Sequence, residues 1–445
     1  VIDKKTQMNI KTMWLAALIS TAAIGAWGQT PQQRTYSIDE LVELAISNNQ
    51  ALKVSAASVE VSQQRVQVAK TQQFPSLAAS ASAFYLGDAT IYDTDLSKKT
   101  TVAMPHFGNS LTLQTSQLIF KGNAVRNAIG VADLQQQLAA LSLEKNKQDI
   151  KLLVASYYLE LFRLRNQHLI YQKNIELSEV RLKNINKMHQ QGLVTQNDVI
   201  RTRLLISNLN QACSQLQNNI DILNRQLTMA TGLPADAVIL PDTTILANKP
   251  NLESLEKYQS EAVTGGFDIK LSEKSVQIAE KSMAIAKADR MPTLSLYAAN
   301  SLQRPITSRT PAVDMYTNGW QVGATLSFNI ASLYNAPRSI KLSSLQLIQA
   351  QQNVVMQQQN TELAVHSAYL KHLDALKQQE TATVNMQLAQ ENYKTMEKKY
   401  LNQLALLLDM LDATNTKLDA ELQQTNAQIG IVFTYYKLLN AAGKL

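Results

Sequence analysis

The spacing of apolar residues along this chain switches from a helical period to a strand period and back, and it does so twice. Residues 38–74 carry apolar positions three and four apart, which predicts a helix; Ser37 and Glu40 suit a capping box at its start, and Pro75 ends it. Alternation of period two follows. It predicts strands over 76–87, where Leu77, Ala79, Ala81, Ala83 and Tyr85 share a face, and over 110–120. The second half predicts strands over 293–302 and 320–330. In the latter, Trp320, Val322, Ala324, Leu326, Phe328 and Ile330 alternate with Gln, Gly, Thr, Ser and Asn. Polar loops, 88–109 and 303–319, separate the strands of each pair.

Helices longer than a globular domain uses come next. From Lys121 to Gln190 there is no proline, and the only glycines, Gly122 and Gly130, fall early. The pattern predicts a helix over 121–190, a turn at 191–194, a helix over 195–231 and a linker over 233–250. In the second half it predicts helices over 252–291, 336–402 and 405–441, with a turn at 403–404. Gly265 and Gly266 interrupt the first of these and are grouped with 233–264 as an irregular belt. Seventy helical residues span about 105 Å, and a rod of that length must bury its apolar stripe on other helices. Helices 38–74 and 195–231 together match that length, so two short helices are expected beside one long one.

The chain is written twice, as 29–250 and 251–445. AKTQQFPSLAASASAFYL (69–86) aligns with AKADRMPTLSLYAANSL (286–302), NAVRNAI (123–129) with NAPRSIK (335–341) and VASYYLELF (154–162) with VHSAYLKHL (365–373). Counterparts are 217 residues apart at first and 211 apart at the end, where Gly232 answers Gly443. Each strand is about long enough to cross a bilayer at a tilt, with one apolar and one polar face. Four strands cannot close a barrel, and open edges are forbidden in lipid, so the expected fold is mixed α and transmembrane β that oligomerises. Three copies would supply twelve strands.

Composition narrows the class. Aromatics are 6% of the residues and glycine and proline number only 14 and 10, as in long helices with mixed surfaces. The formal charge of +7 falls to +5 without the first 28 residues, where Lys4, Lys5 and Lys11 stand against Asp3. Basic residues alternate with acids, which argues against nucleic-acid binding. Those lysines precede the apolar run 13–24 and then Ala26-Trp27-Gly28, which reads as an export signal over 1–28 with the mature chain starting near Gln29. Met8 offers an alternative start to Val1. The single cysteine, Cys213, excludes an intrachain disulfide and reads as a small helix-surface or seam residue.

Candidate chemistry concentrates near the C-terminus, where LDMLDATNTKL (408–418) sets Asp409 and Asp412 on one helix face. Such a pair suits an acid and base, a metal site, a solvated stripe or a charged ring in a pore. Catalysis needs further polar groups around a pocket. His106, His168, His189, His366 and His372 are scattered without an HExxH motif, and SLEK (142–145) lies mid-helix without companion motifs. No catalytic residue, metal ligand or cofactor motif is assigned.

GLVTQNDV (192–199) and DMLDAT (409–414) follow the two helical turns, and on these motifs the chain resembles the TolC family of outer-membrane efflux channels over essentially its whole mature length. The resemblance implies a homotrimer: a twelve-stranded outer-membrane barrel continued by a periplasmic helical tunnel, without a cofactor. Implied partners are a periplasmic adaptor and an inner-membrane RND-type or ABC-type transporter. Asp409 and Asp412 match the carboxylate ring at the narrow entrance. Asp198 and Tyr400 match a hydrogen-bonded pair that holds the entrance closed, with Asn197 beside them. Ala405 stands where the family keeps a locking arginine, so apolar packing of Leu404, Leu406 and Leu407 is expected instead. Gly192, Leu193, Val194, Leu404 and Ala405 take the adaptor-contacting tips. The strand aromatics Tyr85, Trp320 and Phe328 read as a membrane-interface girdle. Efflux is the expected function; a type I protein secretion duct and a secreted coiled-coil structural or adhesive protein are the alternatives.

Overall fold

The computed structural model describes residues 33–97, 99–242 and 252–445. The expected export signal and residues 243–250 of the expected linker lie outside the described residues. The first half forms β1 (Gln33–Tyr36), α1 (Ile38–Asn48), α2 (Gln50–Thr71), β2 (Ser76–Tyr85), β3 (Ala89–Tyr92), β4 (Lys99–Val102), β5 (Phe107–Phe120), α3 (Ala124–Gln190) and α4 (Gln196–Thr231). β6 (Val238–Pro241) closes that half, and the second forms α5 (Leu255–Gly265), α6 (Phe267–Ala288), β7 (Thr293–Arg304), β8 (Thr317–Ser327), α7 (Ser332–Leu401) and α8 (Leu407–Ala441). Two compact units result. Among the described residues, one takes 33–52, 147–258 and 364–445, and the other 53–146 and 259–363.

The second unit carries a four-stranded antiparallel sheet in the order β2-β5-β7-β8. Its register gathers the apolar positions of every strand on one face: Leu77, Ala79, Ala81, Leu111, Leu113, Leu294, Leu296, Val322 and Leu326. The opposite face carries Ser80, Ser82, Ser110, Thr112, Ser301, Gln321 and Thr325, and Ser76 and Ser116 meet across it at 2.7 Å between hydroxyls. The outer strands β2 and β8 pair on one side only, which leaves a row of backbone donors and acceptors along each. The polar connections are more ordered than the composition suggested. β3 and β4 form a hairpin, Arg304 holds Asp314 through two bonds of 2.7 and 2.9 Å, and Asn109 donates to the Tyr316 hydroxyl at 3.1 Å.

The first unit is helical around a core that includes Leu41, Val154, Tyr158, Leu159, Leu161, Leu227 and Ile239. Its small parallel ribbon, β1 against β6, falls outside the sequence expectations because each strand is four residues long, too short for a periodic signal. Tyr158 fixes it. The hydroxyl donates to the Tyr36 carbonyl at 2.8 Å and accepts from the Asp242 N–H at 2.6 Å, and burial pushes its pKa up to about 12.

The helix expected over 38–74 is broken at Asn49, and the one expected over 252–291 breaks where Gly265 and Gly266 interrupt it. Asn49 ends α1 at ψ 127 and accepts from the Ala51 N–H at 2.9 Å, while its amide donates to the Ala230 carbonyl at 2.9 Å. Gly266, 217 residues on, has the same backbone angles (φ −58, ψ 126), and a Cβ there would sit 2.5 Å from the Ala262 carbonyl oxygen. The break thus needs no side chain in one repeat and a capping amide in the other. Residues 255–265 are helical, not part of an irregular belt. The helix expected from 336 starts at Ser332, with Pro337 accommodated near its start.

Candidate functional site

Both helical turns belong to the first unit and share one construction. α3 stops because Gly192 takes φ +74, which lets the Leu193 N–H return to the Met188 carbonyl at 2.9 Å. α7 stops the same way at Gln403, φ +59, with the Leu404 N–H on the Lys399 carbonyl at 2.8 Å. Left-handed backbone costs a residue with a Cβ roughly 1–2 kcal/mol, so the second turn stores strain that glycine spares the first. α4 then opens with a capping box: Thr195 Oγ1 accepts from the Asp198 N–H at 3.3 Å, and Asp198 Oδ2 accepts from the Thr195 N–H and hydroxyl at 2.9 and 2.8 Å. α8 opens with half of one, since Leu406 has no acceptor but Asp409 Oδ2 takes the Leu406 N–H at 3.1 Å.

Asp198 and Asp409, matched to different roles by the resemblance, are therefore repeat counterparts with the same local task. The expected bond between Asp198 and Tyr400 is not made. The cap's two donors take the carboxylate, and the Tyr400 hydroxyl is buried without a hydrogen-bond partner. Burial, and secondarily the Asp198 charge, raise the Tyr400 pKa. Asn197 is exposed beside them. Beneath the turns, Ile185, Val199, Tyr393, Tyr400, Leu407 and Met410 form a small core with Val194 packed at its side. Of the three leucines expected to pack where the arginine is absent, only Leu407 does; Leu404 and Leu406 are 76% and 71% exposed. Leu193 and Gly192 are exposed at the other tip and Ala405 is half-buried.

Asp409 and Asp412 are both exposed on one face of α8, and no cluster of three metal-ligating side chains forms among the described residues. The counterpart of Asp412 is Arg201, also exposed. Tyr85 ends β2, stacked on His106 with ring centroids 5.2 Å apart, and Trp320 lies on the apolar face of β8. Phe328 falls one residue past that strand.

Sequence reasoning missed a polar seam. Arg181 on α3 donates to Thr414 on α8 at 3.0 Å and to the Tyr393 hydroxyl on α7 at 3.1 Å, stapling three helices. Tyr393 donates in turn to Glu397 at 3.0 Å, and Lys417 stands 4.7 Å from the Tyr393 ring centre. Asn174 donates to Glu421 at 3.2 Å and Gln167 to Asn426 at 2.9 Å. Gln167, Asn174 and Arg181 are seven residues apart, a heptad of polar residues that a search for apolar periodicity passes over. Burial is the largest influence on Tyr393 and raises its pKa.

The sequence profile of the family described as outer membrane efflux protein matches residues 41–233 and 259–444. The outer membrane efflux protein BepC of Brucella suis is 22% identical over 405 residues, covering 90% of this chain and 84% of its own length. The pyoverdine export outer membrane protein OpmQ of Pseudomonas putida is 23% identical over 419 residues, covering 91% and 85%. Among solved structures, a membrane protein from Pseudomonas aeruginosa superposes with a TM-score of 0.76 at 15% identity, over 91% of this chain and 90% of that one. The outer membrane protein VceC from Vibrio cholerae gives 0.73 at 16%, over 91% and 96%. The chain belongs to the outer membrane efflux protein family.

Proposed function

We propose that the protein is the outer-membrane exit channel of a tripartite efflux system, a homotrimer that passively conducts substrates delivered by an inner-membrane pump through a periplasmic adaptor. Family and fold are those of channels of the outer membrane with a periplasmic extension. The observation that carries the rest is the sheet: one face apolar, one hydroxyl-rich, and both outer edges unpaired. Lipid demands that those edges pair, and a second and third copy supply the partners. The strands, not the helices, are the crossing elements of this reading, and no described helix is long and apolar enough to cross a membrane. Trp320 and Phe328 are eight residues apart, about 26 Å along an extended strand, close to the apolar band of such barrels. With Tyr85 they serve as interface anchors.

In this reading the two turns form the periplasmic entrance. Gly192, Leu193, Val194, Leu404 and Ala405 meet the adaptor, an assignment supported by apolar side chains exposed at both tips. Asp409 and Asp412 ring the constriction, and Asp198, Asn197 and Tyr400 lie at the gate. Arg181 takes over the holding role left open at Ala405. Outer membranes extracted in mild detergent should yield a heat-labile trimer that conducts in planar bilayers. A monomer, or a trimer without conductance, would refute the reading. An adjacent RND-type pump marks efflux, and an ABC transporter that exports polypeptide marks a secretion duct.

A further inference from the structure

The polar seam inside one chain predicts the register of the seam between chains. Resting on the trimer reading above, we infer that α7 of one copy packs on α4 of the next through three residue pairs: Gln378 with Gln215, Asn385 with Asn210, and Asn392 with Arg203. Counterparts in the two repeats lie 211 residues apart in this region, so Gln167 and Asn174 correspond to Gln378 and Asn385, identical in type, and Arg181 corresponds to Asn392. On the facing helix, Thr414, Glu421 and Asn426 of α8 correspond to Arg203, Asn210 and Gln215 of α4. The arginine changes sides: α3 supplies it within the chain, and α4 supplies it between chains.

Burial sets the two seams apart. Gln167 and Asn174 are 9% and 4% exposed and hydrogen-bonded, and Thr414 is 5% exposed. Their counterparts Gln378, Asn385, Arg203, Asn210 and Gln215 are all exposed, and so is Asn392. Gln378, Asn385 and Asn392 line open grooves whose lining also includes Ala382 and Ala389, each nearly buried. Small alanines let another helix approach closely, and the amides beside them repeat the heptad spacing of Gln167, Asn174 and Arg181. A second copy of this chain is the occupant that carries α4, with polar residues at Arg203, Asn210 and Gln215 that match the spacing of Thr414, Glu421 and Asn426 in the buried seam.

Two variants test the register on a Cys213→Ser background. Asn385→Cys with Asn210→Cys, treated in the outer membrane with a short bis-maleimide, should give covalently linked oligomers several-fold more abundantly than Asn385→Cys with Gln217→Cys, which is displaced by a heptad. Separately, Asn392→Arg sets a second guanidinium against Arg203 and should lower the temperature at which trimers dissociate. Adding Arg203→Asn, which restores one arginine to the pair, should reverse the loss. Trimers by light scattering that cross-link only through the displaced pair, or not at all, overturn the register. So does a failure of the second substitution to rescue. A protein that is monomeric by light scattering overturns the trimer reading itself.

Discussion

The two helical turns follow one plan with different residues, and the differences locate what each does. At the first, glycine supplies the left-handed residue, Thr195 and Asp198 close a full capping box, and the next exposed turn of α4 carries Arg201. At the second, Gln403 is strained, Leu406 contributes only its backbone N–H, and the matching position carries Asp412. The second turn is thus the less stable of the two and the more acidic.

The staple at Arg181 offers the largest test of that asymmetry. Arg181→Ala leaves Thr414 and Tyr393 without their shared donor, and hydrogen bonds to a charged group contribute about 2 kcal/mol. Melting of the trimer should fall accordingly, and single-channel conductance should rise as α8 loosens from α3. A variant that matches wild type in both would remove Arg181 from the entrance.

Exchange of the strained residues comes next. Nothing lies within 4 Å of a Cβ built on Gly192, so Gly192→Ala should cost only the conformational ~1–2 kcal/mol. Gln403→Gly should stabilise by ~0.5–1 kcal/mol as that strain is relieved. Equal effects of the same sign in denaturant titrations would contradict the comparison.

A smaller contrast lies deeper, where Leu161 and Leu223 of the first repeat are replaced by His372 and Thr434, hydrogen-bonded at 3.0 Å. His372 is 1% exposed, and burial lowers its pKa below the ordinary 6.5. The unfolded chain therefore binds a proton before the folded one does. Stability is full above about pH 6.5 and declines as the pH falls below it. The double substitution His372→Leu with Thr434→Leu, which copies the first repeat, should flatten that decline in melting curves between pH 8 and 5. The smallest expected effect is that of Arg201→Gln, which removes a positive charge level with Asp412 and should slightly increase preference for cations.

The long elements were legible because their periods persist. Residues 124–190 hold apolar positions three and four apart, and 317–327 alternate cleanly, so a single apolar face on each gives the period of its backbone. The break at Gly266 could be read from its paired glycines, but the one at Asn49 could not, because Asn49 acts through a bond to Ala230, 181 residues away, and distance in sequence hides such partners. At the helical turns, the motifs located Asp198 and Asp409. Their capping role depends on backbone geometry at Thr195 and Leu406 that the motifs do not encode. The seam through Arg181 was invisible for a third reason: buried polar residues read as surface until their partners are known.

The reversal potential of single channels under a salt gradient tests the central claim most directly. Asn at position 409 can still accept from the Leu406 N–H, so Asp409→Asn with Asp412→Asn should remove charge while keeping the cap. In the proposed ring, carboxylates about 8 Å apart would repel one another by ~0.5 kcal/mol in water and ~2 kcal/mol at an effective dielectric of 20, a negative field that cations would relieve. The account predicts that the double variant conducts with sharply reduced cation preference. A conducting variant whose selectivity equals wild type would show that these aspartates do not ring the pore.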